Sequence, residues 1–263
     1  MIDSARMLGL QQLGELFALF CACLVLFYAF ASSWESLFHQ YILDVVPRTK
    51  VQRFRYHRWL PDLWFACFSH NVVHHYQTFR TSYVRQFRDH HEEAALRQKL
   101  TDVLGPADFD DVVASRFGLS FTWSSSRYFG LPFVLNFGWV VLCPTESAAM
   151  AVALANVLGT LPYLILSKYV HPHLHTPFAG IDAAPRVMRA LLRSRYGLAI
   201  RIGHFVHHRD PTCNYNLQLF ADLARGRWRA PSHSQWDEMV RIGLVTDAHR
   251  HALEGSSVLL HPL

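Results

Sequence analysis

The chain has 263 residues, of which 51% are apolar, 17% are charged and 17 are histidines. Charge falls below the roughly 25% usual for soluble domains, yet a mean hydropathy of +0.09 is too low for a chain made only of membrane spans. A few spans with a large water-facing part fit both numbers, and the net charge of +5 favours anionic lipid or an acidic protein partner; for nucleic acid nothing speaks but that charge. The five cysteines form no CxxC pair, which excludes a disulfide framework or cysteine zinc finger.

The first element is an uncharged run at 16–32, "LFALFCACLVLFYAFAS". With its flanks it predicts a membrane span over about 13–33, close to the roughly 20 residues a helix needs. Only Arg6 precedes the run and no small-x-small site comes before Trp34, so a retained span is expected rather than a signal peptide. Two further uncharged runs, at 128–143 and 147–167, are separated by Pro144, Thr145 and Glu146 and give spans over about 128–143 and 147–168. So short a turn predicts a helical hairpin, with Gly159 and Pro162 bending its second arm.

Basic residues orient these spans. One lies before residue 16, twelve in 34–127, none in the hairpin turn and twelve in 168–263. Positive charge stays on the cytoplasmic side, so 34–127 and 169–263 are expected there, in an inner (cytoplasmic) membrane protein whose site faces the cytoplasm. Helical periodicity over 89–104 and over 185–208, broken at Gly197, predicts helices in the cytoplasmic parts. Few segments alternate with a strand's period, so no sheet is expected. The expectation is an all-α protein: one domain over 1–263, about three spans and a cytoplasmic helical metal-binding part.

Histidine carries the chemistry. His70 and His74 are four apart and share one helical face; His75 would point about 100° away on an ideal α-helix. His171 and His175 are four apart, with His173 after Pro172 set aside as uncertain. His204 and His207 are three apart, and His208 completes a four-residue step. Just past the first run stand His39 and, five residues on, Asp44. Pairs at these spacings present two nitrogens to one metal from a rigid helix. About ten ligands exceed what one four-coordinate zinc can use, so two metals fit the supply; iron, copper, nickel and zinc all suit imidazole. Lone His57, His233 and His261 read as surface or satisfied core residues, and His90 with His91 as a solvated helix face. "HHEEAAL" begins like the HExxH pattern of a metallohydrolase, but the fifth position from His91 is Ala95, and no Glu-x-x-His set of a carboxylate bundle occurs.

The stretches "ESLFHQYILD", "HNVVHH", "HPHLH" and "HFVHHRDPTCNYNLQLFADLARGRW" resemble the histidine boxes of the fatty acid hydroxylase and sterol desaturase superfamily. The likeness runs from His39 to His208, about two thirds of the chain, with Asn214, Tyr215, Asp222 and Gly226 in comparable places after the last box. It implies an integral membrane enzyme with two iron ions (Fe2+/Fe3+) that uses O2 to hydroxylate or desaturate an unactivated carbon of an acyl, sterol or isoprenoid substrate. The chain departs at the first box, where Asp44 stands in place of the second histidine; Asp44 binding iron, or His57 reaching in, would complete the set. The implied ligands are His39, Asp44, His70, His74, His75, His171, His175, His204, His207 and His208. Glu35, Asp210, Asn214 and Asp222 are candidates to hold the ligand rings from behind. No separate acid or base is assigned beside the metal centre. No GxGxxG, CxxCH or iron–sulfur motif occurs, so a separate electron donor such as ferredoxin is expected. The basic "RGRWRAP" at 225–231 offers a docking face for it or for an acyl carrier protein. The rival expectations are a membrane zinc-dependent hydrolase and a non-catalytic metal-binding membrane protein.

Overall fold

The computed structural model describes residues 2–44, 65–120 and 123–254. His57 and the tail beyond 254, with His261, lie outside the described residues. Every regular element among those described is helical, and the one β-bridge, Ser82 to Arg85, is isolated.

The first helix, α1 (Ile2–Phe38), is longer than the apolar run alone predicts, because no proline or charge cluster breaks it. The helices α2 (His90–Val103) and α3 (Pro106–Ala114) follow. Asp89 starts α2 by accepting the Glu92 N–H at 2.9 Å, a cap that satisfies one of the open amides of the first turn. Leu96 and Leu100 bury one face of α2 against Phe68 and Val73, which backs the second histidine segment.

The hairpin consists of α4 (Trp123–Val141) and α5 (Glu146–Ile165). Thr145 caps α5 by accepting the Ala148 N–H, and α5 runs on through Pro162. Two helical stretches, Gly9–Leu43 and Glu146–Leu174, are long and apolar enough to cross a membrane; the apolar part of α4, Gly130–Val141, is shorter. Both long helices turn large apolar side chains outward, among them Leu10 (65% exposed), Val25 (66%) and Met150 (72%). α1 and α5 run in the same direction: Phe27 packs on Val152 and Ala155, and further along Ala31 and Phe38 pack with Tyr163. Their ends therefore arrive side by side.

At those ends the helices change pitch. His39–Leu43, Phe68–His75 and Leu166–Val170 are π turns, which close on the fifth residue instead of the fourth. Asp44 N–H donates to His39 O at 3.0 Å, and Thr78 N–H to Val73 O at 2.9 Å. The short α6 (His171–Leu174) continues from the third π turn.

Beyond it, α7 (Arg186–Arg193) and α8 (Arg195–Arg209) meet at Ser194. The break thus falls three residues before Gly197, where periodicity placed it. Ser194 caps α8 by accepting the Gly197 N–H at 3.0 Å. A Cβ on Gly197 would lie 2.0 Å from Leu191 O, so the glycine permits the corner rather than making the break. Three small helices complete the chain: α9 (Phe220–Ala224), α10 (His233–Arg241) and α11 (Asp247–Leu253). Trp236 and Met239 of α10 pack on Ile202 and Phe205, so α8 is covered on its far side.

Candidate metal centre

The histidine segments converge where α1, α5 and α8 meet. One group contains His39, Asp44, His70, His75 and His207, and a second contains His74, His175, His204 and His208. Within each group the ligand atoms all lie within 4.8 Å of one another. A cation about 2.0–2.2 Å from each ligand keeps its ligands within about 4.4 Å of each other, so each group needs to tighten by only a few tenths of an ångström to close on an ion. His171 adjoins the second group, its Nε2 3.0 Å from His204 Nε2. The two groups touch: the His70 and His74 rings are 5.5 Å apart and those of His75 and His208 stack at 4.3 Å.

The π turns explain who joins. On an ideal α-helix His75 would point away from His70. Closing on the fifth residue instead brings His75 Nε2 to 3.1 Å from His70 Nε2. The same geometry puts Asp44, five after His39, on the His39 face. Asp44 Oδ2 lies 3.5 Å from His39 Nε2 and 3.4 Å from His207 Nε2. The five-residue spacing that broke the box pattern in the sequence is the spacing a π turn aligns.

Four rings are fixed from behind by backbone carbonyls. The Nδ1 of His39 meets Tyr215 O at 2.6 Å, that of His171 meets Leu119 O at 2.8 Å, that of His175 meets Tyr83 O at 2.9 Å and that of His207 meets Cys213 O at 2.8 Å. A carbonyl only accepts, so each Nδ1 carries the proton and each Nε2 keeps its lone pair for the centre. Ring nitrogens crowd one another at the centre: His39 Nε2 is 2.8 Å from His70 Nε2, and His204 Nε2 is 3.2 Å from His175 Nε2. Several buried atoms, including both nitrogens of His74, Nε2 of His207 and His208, and Oδ2 of Asp44, have no hydrogen-bond partner among the described residues. Buried polar atoms are ordinarily satisfied. Inward lone pairs on buried nitrogens fit a bound cation.

Electrostatics agrees. Burial, reinforced by neighbouring rings, holds His70, His74, His204 and His208 well below the ordinary imidazole value, so they are neutral bases. Burial also opposes charge on His207, but the Asp44 carboxylate, 3.4 Å from its Nε2, outweighs it and raises this ring. Burial would raise Asp44, yet the His39 and His207 rings outweigh it and hold the carboxyl low.

The four candidates for supporting the rings behave differently from expectation. Asp210 is at the surface, bonded to Thr212 and Arg229, and touches no ring. Glu35 accepts the N–H groups of Leu217 (2.8 Å) and Gln218 (3.0 Å). Asp222 accepts from Ser36 Oγ and Asn216 N–H, both at 2.7 Å. Asn214, at a left-handed φ of 54°, accepts the Arg229 N–H at 2.7 Å and donates to Arg229 O at 2.9 Å. These three act on the loop, not on a ring: they hold 213–218 so that the carbonyls of Cys213 and Tyr215 reach His207 and His39. His173 lies outside both groups; its carbonyl accepts from Arg201.

Sequence reasoning missed the carbonyl partners, which leave no residue signature. It also missed Arg201 and Gly118. Gly118, at φ +80°, leaves no room for a side chain: a Cβ would lie 2.3 Å from Ser69 O and 3.1 Å from His74 Cβ. Gly118→Ala should therefore destabilise the fold by about 2 kcal/mol or more and loosen metal at His70 and His74. Thermal unfolding and metal analysis of the variant check this; a wild-type midpoint would contradict it.

A cavity of about 30 Å3 opens beside His39, His70, His171 and His204, walled by Phe38 and Tyr163. It holds one very small molecule. Compared with protein-family models, curated proteins and solved structures, the chain matches none, and its reading rests on its own residues.

Proposed function

We propose that this chain is a membrane-embedded, O2-dependent di-iron oxygenase that hydroxylates or desaturates a C–H bond of an acyl, sterol or isoprenoid substrate. The observation that carries the reading is the gathering of ten donors, nine imidazoles and one carboxylate, into two adjoining groups at the shared end of two apolar helices. Five donors per ion suits a six-coordinate metal with one open position, which favours iron over four-coordinate zinc. Two bound irons would supply the redox capacity to activate O2 and break an alkyl C–H bond, which no side chain possesses.

The chain's own residues do the rest. Carbonyls behind His39, His171, His175 and His207 hold the ring tautomer, and burial keeps water from the centre. The small cavity beside His39 and His171 suits a diatomic gas, not an alkyl chain. Phe38 and Tyr163, on the ends of α1 and α5, wall that cavity. In this reading α4 is a third span, the N-terminus is outside and the site faces the cytoplasm. Electrons come from a separate donor such as ferredoxin, drawn to the arginine-rich face at 225–231.

The test is oxygen dependence. Membranes carrying the chain, given reductant and a ferredoxin-type donor, should incorporate label from 18O2 into a lipid, or yield a desaturated lipid, absent when His207 is replaced by alanine. Lipid turnover that proceeds without oxygen would overturn the proposal in favour of a zinc hydrolase.

A further inference from the structure

The two ligand groups differ in charge. Asp44 is the one carboxylate in either group, and it belongs to the first. Behind that group Asp222 lies buried and bonded to Ser36 and Asn216. Behind the second group lies a cation instead. Arg201 is fully buried, 0% exposed, in α8 one turn before His204. Its Nη2 donates to Thr176 O at 2.7 Å and Leu244 O at 2.9 Å, and its Nη1 to His173 O at 3.4 Å. No carboxylate among the described residues pairs with it. Thr176 follows His175 directly, so the guanidinium is anchored one residue from a ring of the second group.

Putting a divalent ion among buried neutral imidazoles leaves its charge uncompensated, which is costly in a low-dielectric site. A carboxylate ligand offsets part of that charge; a guanidinium nearby adds to it. We infer that the two ion positions are unequal, the Asp44 group binding its ion first and tightly and the all-imidazole group beside Arg201 binding its ion second and more loosely. The inference rests on the two-ion reading above and deepens it. It gives the centre a polarity: the Asp44 side favours the higher oxidation state, and the Arg201 side is where metal is first lost or exchanged.

The experiment is graded chelation of the ferrous full-length protein in detergent under nitrogen, reading iron retained per chain. The expected result is two steps, with midpoints separated by about tenfold or more in chelator. Asp44→Asn should remove the tighter step, so that both ions leave together near the weaker midpoint. Asp44→Glu, which keeps the charge, should preserve two steps. Two ions leaving the wild-type chain together, or an unchanged two-step curve in D44N, would overturn this inference and leave the two-ion reading standing. A wild-type chain that binds fewer than two ions would overturn both. A one-step wild-type curve overturns the inference even if D44N fails to fold.

Discussion

His74→Ala is expected to cost little in the metal-free protein and much in the metal-loaded one. His74 is fully buried, both its nitrogens lack hydrogen-bond partners among the described residues, and its ring sits within 5.5 Å of those of His70, His171 and His175. Without a cation, crowded lone pairs repel, so truncation relieves part of what it loses in packing. With a cation the ring is a ligand between the two groups. Any ion bound only by the folded chain adds about 2.7 kcal/mol at a hundredfold excess over its Kd. Thermal unfolding with and without Fe2+ should show wild type gaining stability from metal and the variant losing most of that gain. An equal loss in both conditions would mean that His74 is a packing residue and not a ligand.

Glu35→Ala is the second large effect. Ser32, Glu35 and Ser36 form a polar stripe on one face of α1, and all three grip the loop at 216–222. Removing the carboxylate orphans the N–H groups of Leu217 and Gln218. A buried unsatisfied donor costs about 1–3 kcal/mol, so the loss should be about 2–5 kcal/mol. The same loop carries Tyr215 O, the acceptor for His39 Nδ1. Metal in the His39 group should therefore loosen together with the fold. Denaturant unfolding and iron content measure the two; a stable variant with full iron would show that the loop holds itself.

These two residues mark how far the sequence could be read. Spacing put His171 with His175 and His204 with His208 on common faces, because a helix repeats nearly every four residues; it also paired His70 with His74, which fall in different groups. The same rule misdirected His75 and left Asp44 out of register, because both depend on π turns that periodicity does not encode. Glu35 stood out as a lone acid beside an apolar run, but its role as a clamp for a loop 182 residues away is a tertiary fact. Asp210 looked equivalent to Asp222 and is not, since one faces Arg229 at the surface and the other is buried against Ser36. Arg201 did leave a trace: a single charge in "YGLAIRIGHFVHH", where an apolar face predicts none. The apolar lengths of α1 and α5 were legible directly, as composition alone decides them.

The most direct test of the central claim is elemental analysis of the full chain purified in detergent from iron-replete cells. The account predicts about two iron atoms per chain, as a paired-ion centre with ten donors requires, falling to about one in His74→Ala. A single zinc per chain, or no stoichiometric transition metal, would contradict it.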